Sequence, residues 1–106
     1  MPTPLDELRA QILIAPYTDM EPHVRRGAFV LVSSKLDLAE VALKMEDNDQ
    51  AHLSSLIESG LLTKSAPEHL DVWRKEKRFF KFLIVQPFVI AQYLELPPEA
   101  DPKYLN

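Results

Sequence analysis

The sequence predicts an α+β fold: short helices packed on a small, mostly antiparallel sheet with strands near 28–33, 61–65 and 80–94. Three observations carry this prediction. The run 79–94 is strongly apolar and holds four of the five phenylalanines, so it must be buried. Its Phe, Val and Ile content favours strand over helix. Ala28-Phe29-Val30-Leu31-Val32 is a second continuous apolar run, and the segments between carry helix caps and helical spacing. An all-helical arrangement with a two-stranded ribbon is the alternative.

From the N-terminus, Thr3-Pro4-Leu5-Asp6 reads as a helix start, with a capping threonine, proline in the first turn and an acid beside the positive end of the helix dipole. Leu5, Leu8 and Ile12 line one face, and Pro16 ends the helix. Thr18-Asp19-Met20-Glu21 has the spacing of a capping box and begins a short helix through His23 to Arg26, which Gly27 stops. The strand at 28–33 follows.

Segment 36–46 fits two patterns. Ala39, Val41, Leu43 and Met45 alternate with Glu40, Ala42, Lys44 and Glu46 as in a strand. Asp37, Glu40 and Lys44 form a polar helical stripe, however, and Glu40 with Lys44 makes a favourable i,i+4 pair. Helix-forming composition and the cap-like stretch from Ser34 to Asp37 favour helix. After a polar turn at 46–49, Asn48 or Asp49 caps a helix whose apolar face is Leu53, Leu56 and Ile57, ended by Gly60. The short extended piece 61–65 leads into Ser65-Ala66-Pro67-Glu68, a second capping-box pattern. The helix after it turns Leu70, Trp73 and the stem of Lys77 inward. The run 79–94 then forms a long core strand bent at Pro87, which lacks a ladder donor. It is too short and too interrupted by Lys81, Gln86, Pro87 and Gln92 for a membrane span. One globular domain over 1–96 and a proline-rich extended tail over 97–106 complete the chain.

Composition narrows the function classes. The net charge of −4 argues against nucleic acid as a partner. With no cysteine, disulfides, thiolate zinc sites and thiol catalysis are excluded. The N-terminus carries acids where a signal peptide carries bases, so a soluble, cytoplasmic protein is expected. Neither Gly27 nor Gly60 belongs to a phosphate-cradling loop, and no glycine elbow surrounds Ser33-Ser34, Ser54-Ser55 or Ser65. No catalytic signature and no cofactor are implied.

The candidate binding residues are few. His23, Arg25 and Arg26 on one short helix offer two guanidinium groups and an imidazole to an anion, against the plainer role of neutralising the helix C-terminus. Gln86 and Gln92 are amides within an apolar run. Alternation favours outward-facing positions, with a neighbouring chain or a ligand as the other way to satisfy them. Asp47 and Asp49 invite a calcium-loop reading, but His52 stands where that loop needs glycine, so only a weak magnesium site is left beside helix capping. Trp73 reads as a core anchor. The expected partner is a second copy of the chain or another protein, because apolar extended sequence exceeds what three short helices cover.

Several pieces carry a resemblance in order: Arg25-Arg26-Gly27-Ala28, Leu36-Asp37-Leu38-Ala39-Glu40-Val41-Ala42, Asp49, Gly60-Leu61-Leu62-Thr63-Lys64, Trp73, and Leu83-Ile84-Val85-Gln86-Pro87-Phe88-Val89-Ile90-Ala91-Gln92. Together, over residues 5–94, they resemble the small bacterial proteins catalogued as domain of unknown function 2288. Leu36-Asp37-Leu38 and Val85-Gln86-Pro87-Phe88-Val89 are its most specific parts. Tyr17 and Leu56 stand where many relatives have tryptophan, which marks packing positions. The resemblance implies a bacterial, cytoplasmic, single-domain protein. It implies no activity, and no functional residue is carried over.

Overall fold

The computed structural model describes residues 1–65 and 67–94. Five strands form one sheet in the order β1-β4-β5-β2-β3, with five helices packed on its two faces. The elements are α1 (Pro4–Ala10), β1 (Leu13–Pro16), α2 (Tyr17–Arg25), β2 (Phe29–Val32), α3 (Leu38–Glu46), α4 (Gln50–Glu58), β3 (Leu62–Lys64), α5 (His69–Glu76), β4 (Phe79–Val85) and β5 (Phe88–Tyr93). Among the described residues, only β2 and β5 pair in parallel; the other three pairings are antiparallel. The fold is α+β, as the sequence predicts, with two more strands than it predicts.

The run 79–94 supplies both central strands. It folds back at Gln86-Pro87, so Val85 lies opposite Phe88 and Lys81 opposite Gln92. The predicted single bent strand is therefore a hairpin. Proline sits where no ladder donor is needed, and each arm satisfies the other's backbone.

The other added strand, β1, lies where the sequence predicts continuing helix. Thr3 and Asp6 form a reciprocal capping box, each backbone N–H donating to the other's side chain at 3.1 Å. The helix nevertheless ends at Ala10. Leu13 to Pro16 then pair with Phe82 to Phe79. The free edge of β4 offers a ladder that helical propensity cannot match, and Pro16 is tolerated on an edge strand.

Side-chain alternation sorts two cores. Val30, Val32, Leu83 and Ile90 face α1, α3 and α4, packing with Leu8, Leu38, Ala39, Ala42 and Leu56. Phe29, Phe80, Val89 and Ala91 face α2 and α5, packing with Met20, Val24, Leu70 and Trp73. Trp73 meets Phe80 edge-on with centroids 4.9 Å apart, lies 5.5 Å from Phe29, and donates its indole N–H to the Tyr93 hydroxyl at 3.1 Å. It is the expected anchor.

Segment 36–46 is helical from Leu38, and Asp37 caps it by accepting from the N–H groups of Ala39 and Glu40. Asp49 caps α4. Gly27 and Gly60 have φ of +73° and +76°, the left-handed conformation expected after a helix. Two predicted capping boxes do not form. Helix α2 starts at Tyr17, before the Thr18 box, and α5 starts at His69, after the box that spans 65–68; neither has a side-chain cap. Lys77 does not line the inner stripe either: it is the exposed left-handed C-cap of α5, with φ of 54°. The proline-rich tail predicted at 97–106 lies outside the described residues.

Candidate functional site

The predicted cation cluster divides. His23 and Arg26 meet, with Nδ1 and Nη2 2.9 Å apart, and Arg26 Nη1 also donates to the Pro87 carbonyl at 3.2 Å. Burial first, and then the Arg26 charge, hold the imidazole below its ordinary pKa. The ring is thus neutral near pH 7 and its Nδ1 accepts from the guanidinium. The pair ties the end of α2 to the β4–β5 turn. Arg25 reaches back one turn to Glu21 Oε2 at 2.9 Å. Asp37, the N-cap of α3, and Glu40 in its first turn lie with α3, which packs on the other face of the sheet.

Gln86 is exposed in the hairpin turn. Gln92 overturns the outward-facing expectation, being only 2% exposed. Its Nε2 donates to the Ser33 carbonyl at 2.9 Å and the Leu36 carbonyl at 2.7 Å. The amide is satisfied by backbone of the β2–α3 connection, not by solvent. Its parity along β5 points it at α3, and the loop supplies carbonyls that a helix or ladder would otherwise have consumed. The polar residue in an apolar run was the available signal. Which face it occupied depended on strand register.

Asp47 closes α3 as its C-cap, while Asp49 accepts from the His52 N–H at 3.2 Å and sits 3.7 Å from Lys44 Nζ. Among the described residues, no three His, Asp or Glu side chains gather as a metal-binding group.

Three features that sequence reasoning missed complete the surface. The first is the free edge of β1. The Tyr17 N–H donates to the Arg78 carbonyl, which sets the hydrogen-bonded pairs at Leu13/Phe82 and Ala15/Phe80. The backbone N–H and C=O of Ile14 consequently point away from the sheet. Leu13 and Ile14 are 57% and 58% exposed, and Ile84 on the neighbouring strand is 51% exposed.

The second is an open apolar groove of about 710 Å³ between α4 and β3, walled by Val30, Met45, Leu53, Leu62 and Phe88. Ile57 also lines it and is 60% exposed, so the predicted apolar face of α4 only partly enters the core. The third is a cleft of about 480 Å³ where Arg9, Lys35, Asp37 and Lys81 converge from α1, the β2–α3 loop, the start of α3 and β4. Arg9 Nη2 pairs with Asp37 Oδ2 at 2.7 Å, and the Arg9 hydrogen bond holds the Asp37 carboxyl below its ordinary pKa.

These features define a small α+β domain with a mixed sheet between two helical layers. The chain belongs to the family described as "Protein of unknown function (DUF2288)", whose model matches residues 5–93. It is similar in fold to the NMR solution structure of PA1075 from Pseudomonas aeruginosa, with a TM-score of 0.75 and 22% sequence identity over 84% of this chain and 82% of that one. No curated protein matches. No helix among the described residues is long and apolar enough to cross a membrane.

Proposed function

We propose that this chain is a non-catalytic interaction module that pairs with a second copy of itself through β1. The observation that carries this reading is the open, uncharged β1 edge, which only its four-residue length and Pro16 at one end limit. Proteins protect sheet edges with charge, shortness or cover. At the opposite edge, β3 is three residues long and ends in Lys64. Strand β1 carries no charge, shows large apolar side chains on both faces, and directs the Ile14 backbone outward. Antiparallel pairing of two β1 strands about Ile14 would satisfy both backbones and cover Leu13, Ile14 and Ile84 from each copy. A twofold contact of this kind is self-complementary and closes at two subunits.

Sedimentation velocity over a wide concentration series tests the reading. A concentration-dependent dimer is expected, and Ile14→Lys is expected to return it to monomer without loss of fold. A strict monomer at the highest concentrations would sink the proposal.

A second reading is capture of a small ligand or anion by His23 and Arg26, with an enzyme as a special case. It draws on the 2.9 Å contact that places both groups at one spot, and its weakness is that Arg25 turns to Glu21. A thermal-shift screen against metabolites and divalent ions checks it, since a ligand that prefers the folded state raises the melting temperature.

A further inference from the structure

We infer that the cleft between α1, β4 and the β2–α3 loop is a binding site for a small, multiply charged oxyanion. The chain as a whole is acidic, with a net charge of −4, yet this cleft gathers three cations around one carboxylate. Arg9 is committed to Asp37 at 2.7 Å, with Glu40 and Asp6 contributing more distantly to its field. Lys35 and Lys81 form no ion pair among the described residues. Two uncompensated ammonium groups therefore border one concavity, beside a guanidinium fixed by its own partner.

The cations are placed by rigid elements. Lys81 stands on central strand β4, opposite Gln92. Lys35 rides on a turn held at four points. The Lys35 N–H donates to Ser33 Oγ at 3.2 Å, the Leu36 N–H donates to the Ser33 carbonyl at 3.1 Å, and Gln92 Nε2 binds the carbonyls of both Ser33 and Leu36. The buried amide of β5 thus braces the loop that carries one cation, on the strand next to the one that carries the other. Such a brace lowers the ordering cost of binding. Two ammonium groups on a partly apolar floor of Ile12, Leu36 and Leu38 suit an anion bearing several negative oxygens. This site is separate from His23 and Arg26, and it adjoins the β1 edge, where Lys81 stands opposite Ile14.

The test is a titration of the full-length, ¹⁵N-labelled protein with pyrophosphate and, separately, with citrate, followed by amide chemical shifts at constant ionic strength. The two arms distinguish phosphate from carboxylate chemistry. Saturable shifts centred on Lys35, Leu36 and Lys81 with at least one anion are expected. Lys35→Gln and Lys81→Gln should each weaken binding roughly fivefold, and the double variant roughly twentyfold. Both side chains reach solvent, so well-dispersed variant spectra keep the comparison valid. Three results overturn the inference: no saturable shift with either anion, shifts centred elsewhere such as on 74–78, or unchanged affinity in the double variant.

Discussion

Gln92 Nε2 lies 2.7 Å from the carbonyl oxygen of Leu36, so a buried amide in the middle of the sheet holds the chain as it enters α3. The same nitrogen binds the Ser33 carbonyl, and one side chain thereby satisfies two backbone acceptors that no helix or ladder reaches. Replacing it with leucine keeps the volume and strands the Leu36 carbonyl, while the Ser33 carbonyl keeps the Leu36 N–H at 3.1 Å. Gln92→Leu is expected to lower unfolding free energy by roughly 1–3 kcal/mol, the cost of one buried unsatisfied group. Urea denaturation measures this. A change below about 0.5 kcal/mol would mean that the carbonyl finds another partner.

Trp73 seals the second core against Phe29, Phe80 and Tyr93. Trp73→Ala is expected to cost about 3–5 kcal/mol. The milder Tyr93→Phe removes only the acceptor of the indole N–H and is expected to cost about 1 kcal/mol. Because this is the only tryptophan, its fluorescence reports unfolding directly in the second variant.

Gly60 has φ of +76°, and no atom lies within 4 Å of a Cβ placed there. A side chain meets space but not a favourable backbone. Gly60→Ala is therefore expected to destabilise by about 1 kcal/mol through conformation alone. An unchanged denaturation midpoint would show that the turn relaxes.

The His23 imidazole has its pKa lowered from 6.5 by burial and by Arg26. A depressed folded-state pKa means that the unfolded chain binds the proton more readily. The stability that neutral His23 contributes is present above the unfolded value and is lost as pH falls through the folded value. Wild-type stability should fall as pH drops below about 6.5, and His23→Gln should show a smaller fall over that window. Parallel denaturation series across this range decide it; identical pH slopes would remove His23 as the cause.

Much of the fold was readable where local signals agreed. Asp37 and Asp49 cap their helices, Gly27 and Gly60 stop theirs, and the phenylalanine-rich run is core. The failures share a cause. Strand β1 has too weak a local pattern to announce itself and exists because β4 offers an edge. Ser65 and Thr18 have the spacing of capping residues, but the neighbouring helices begin elsewhere. The candidate site was less legible still. His23 and Arg26 are three positions apart and do meet, whereas Arg9, Lys35 and Lys81 share a cleft across most of the chain.

By itself, then, the sequence determined the fold class, the core role of the 79–94 run and the family, because composition, periodicity and short motifs are local and survive without knowledge of neighbours. Only the tertiary structure decided that this run is a hairpin, that β1 is an open edge and that Gln92 faces inward. Strand partners and side-chain direction depend on register, and register is set by contacts between residues far apart in the chain.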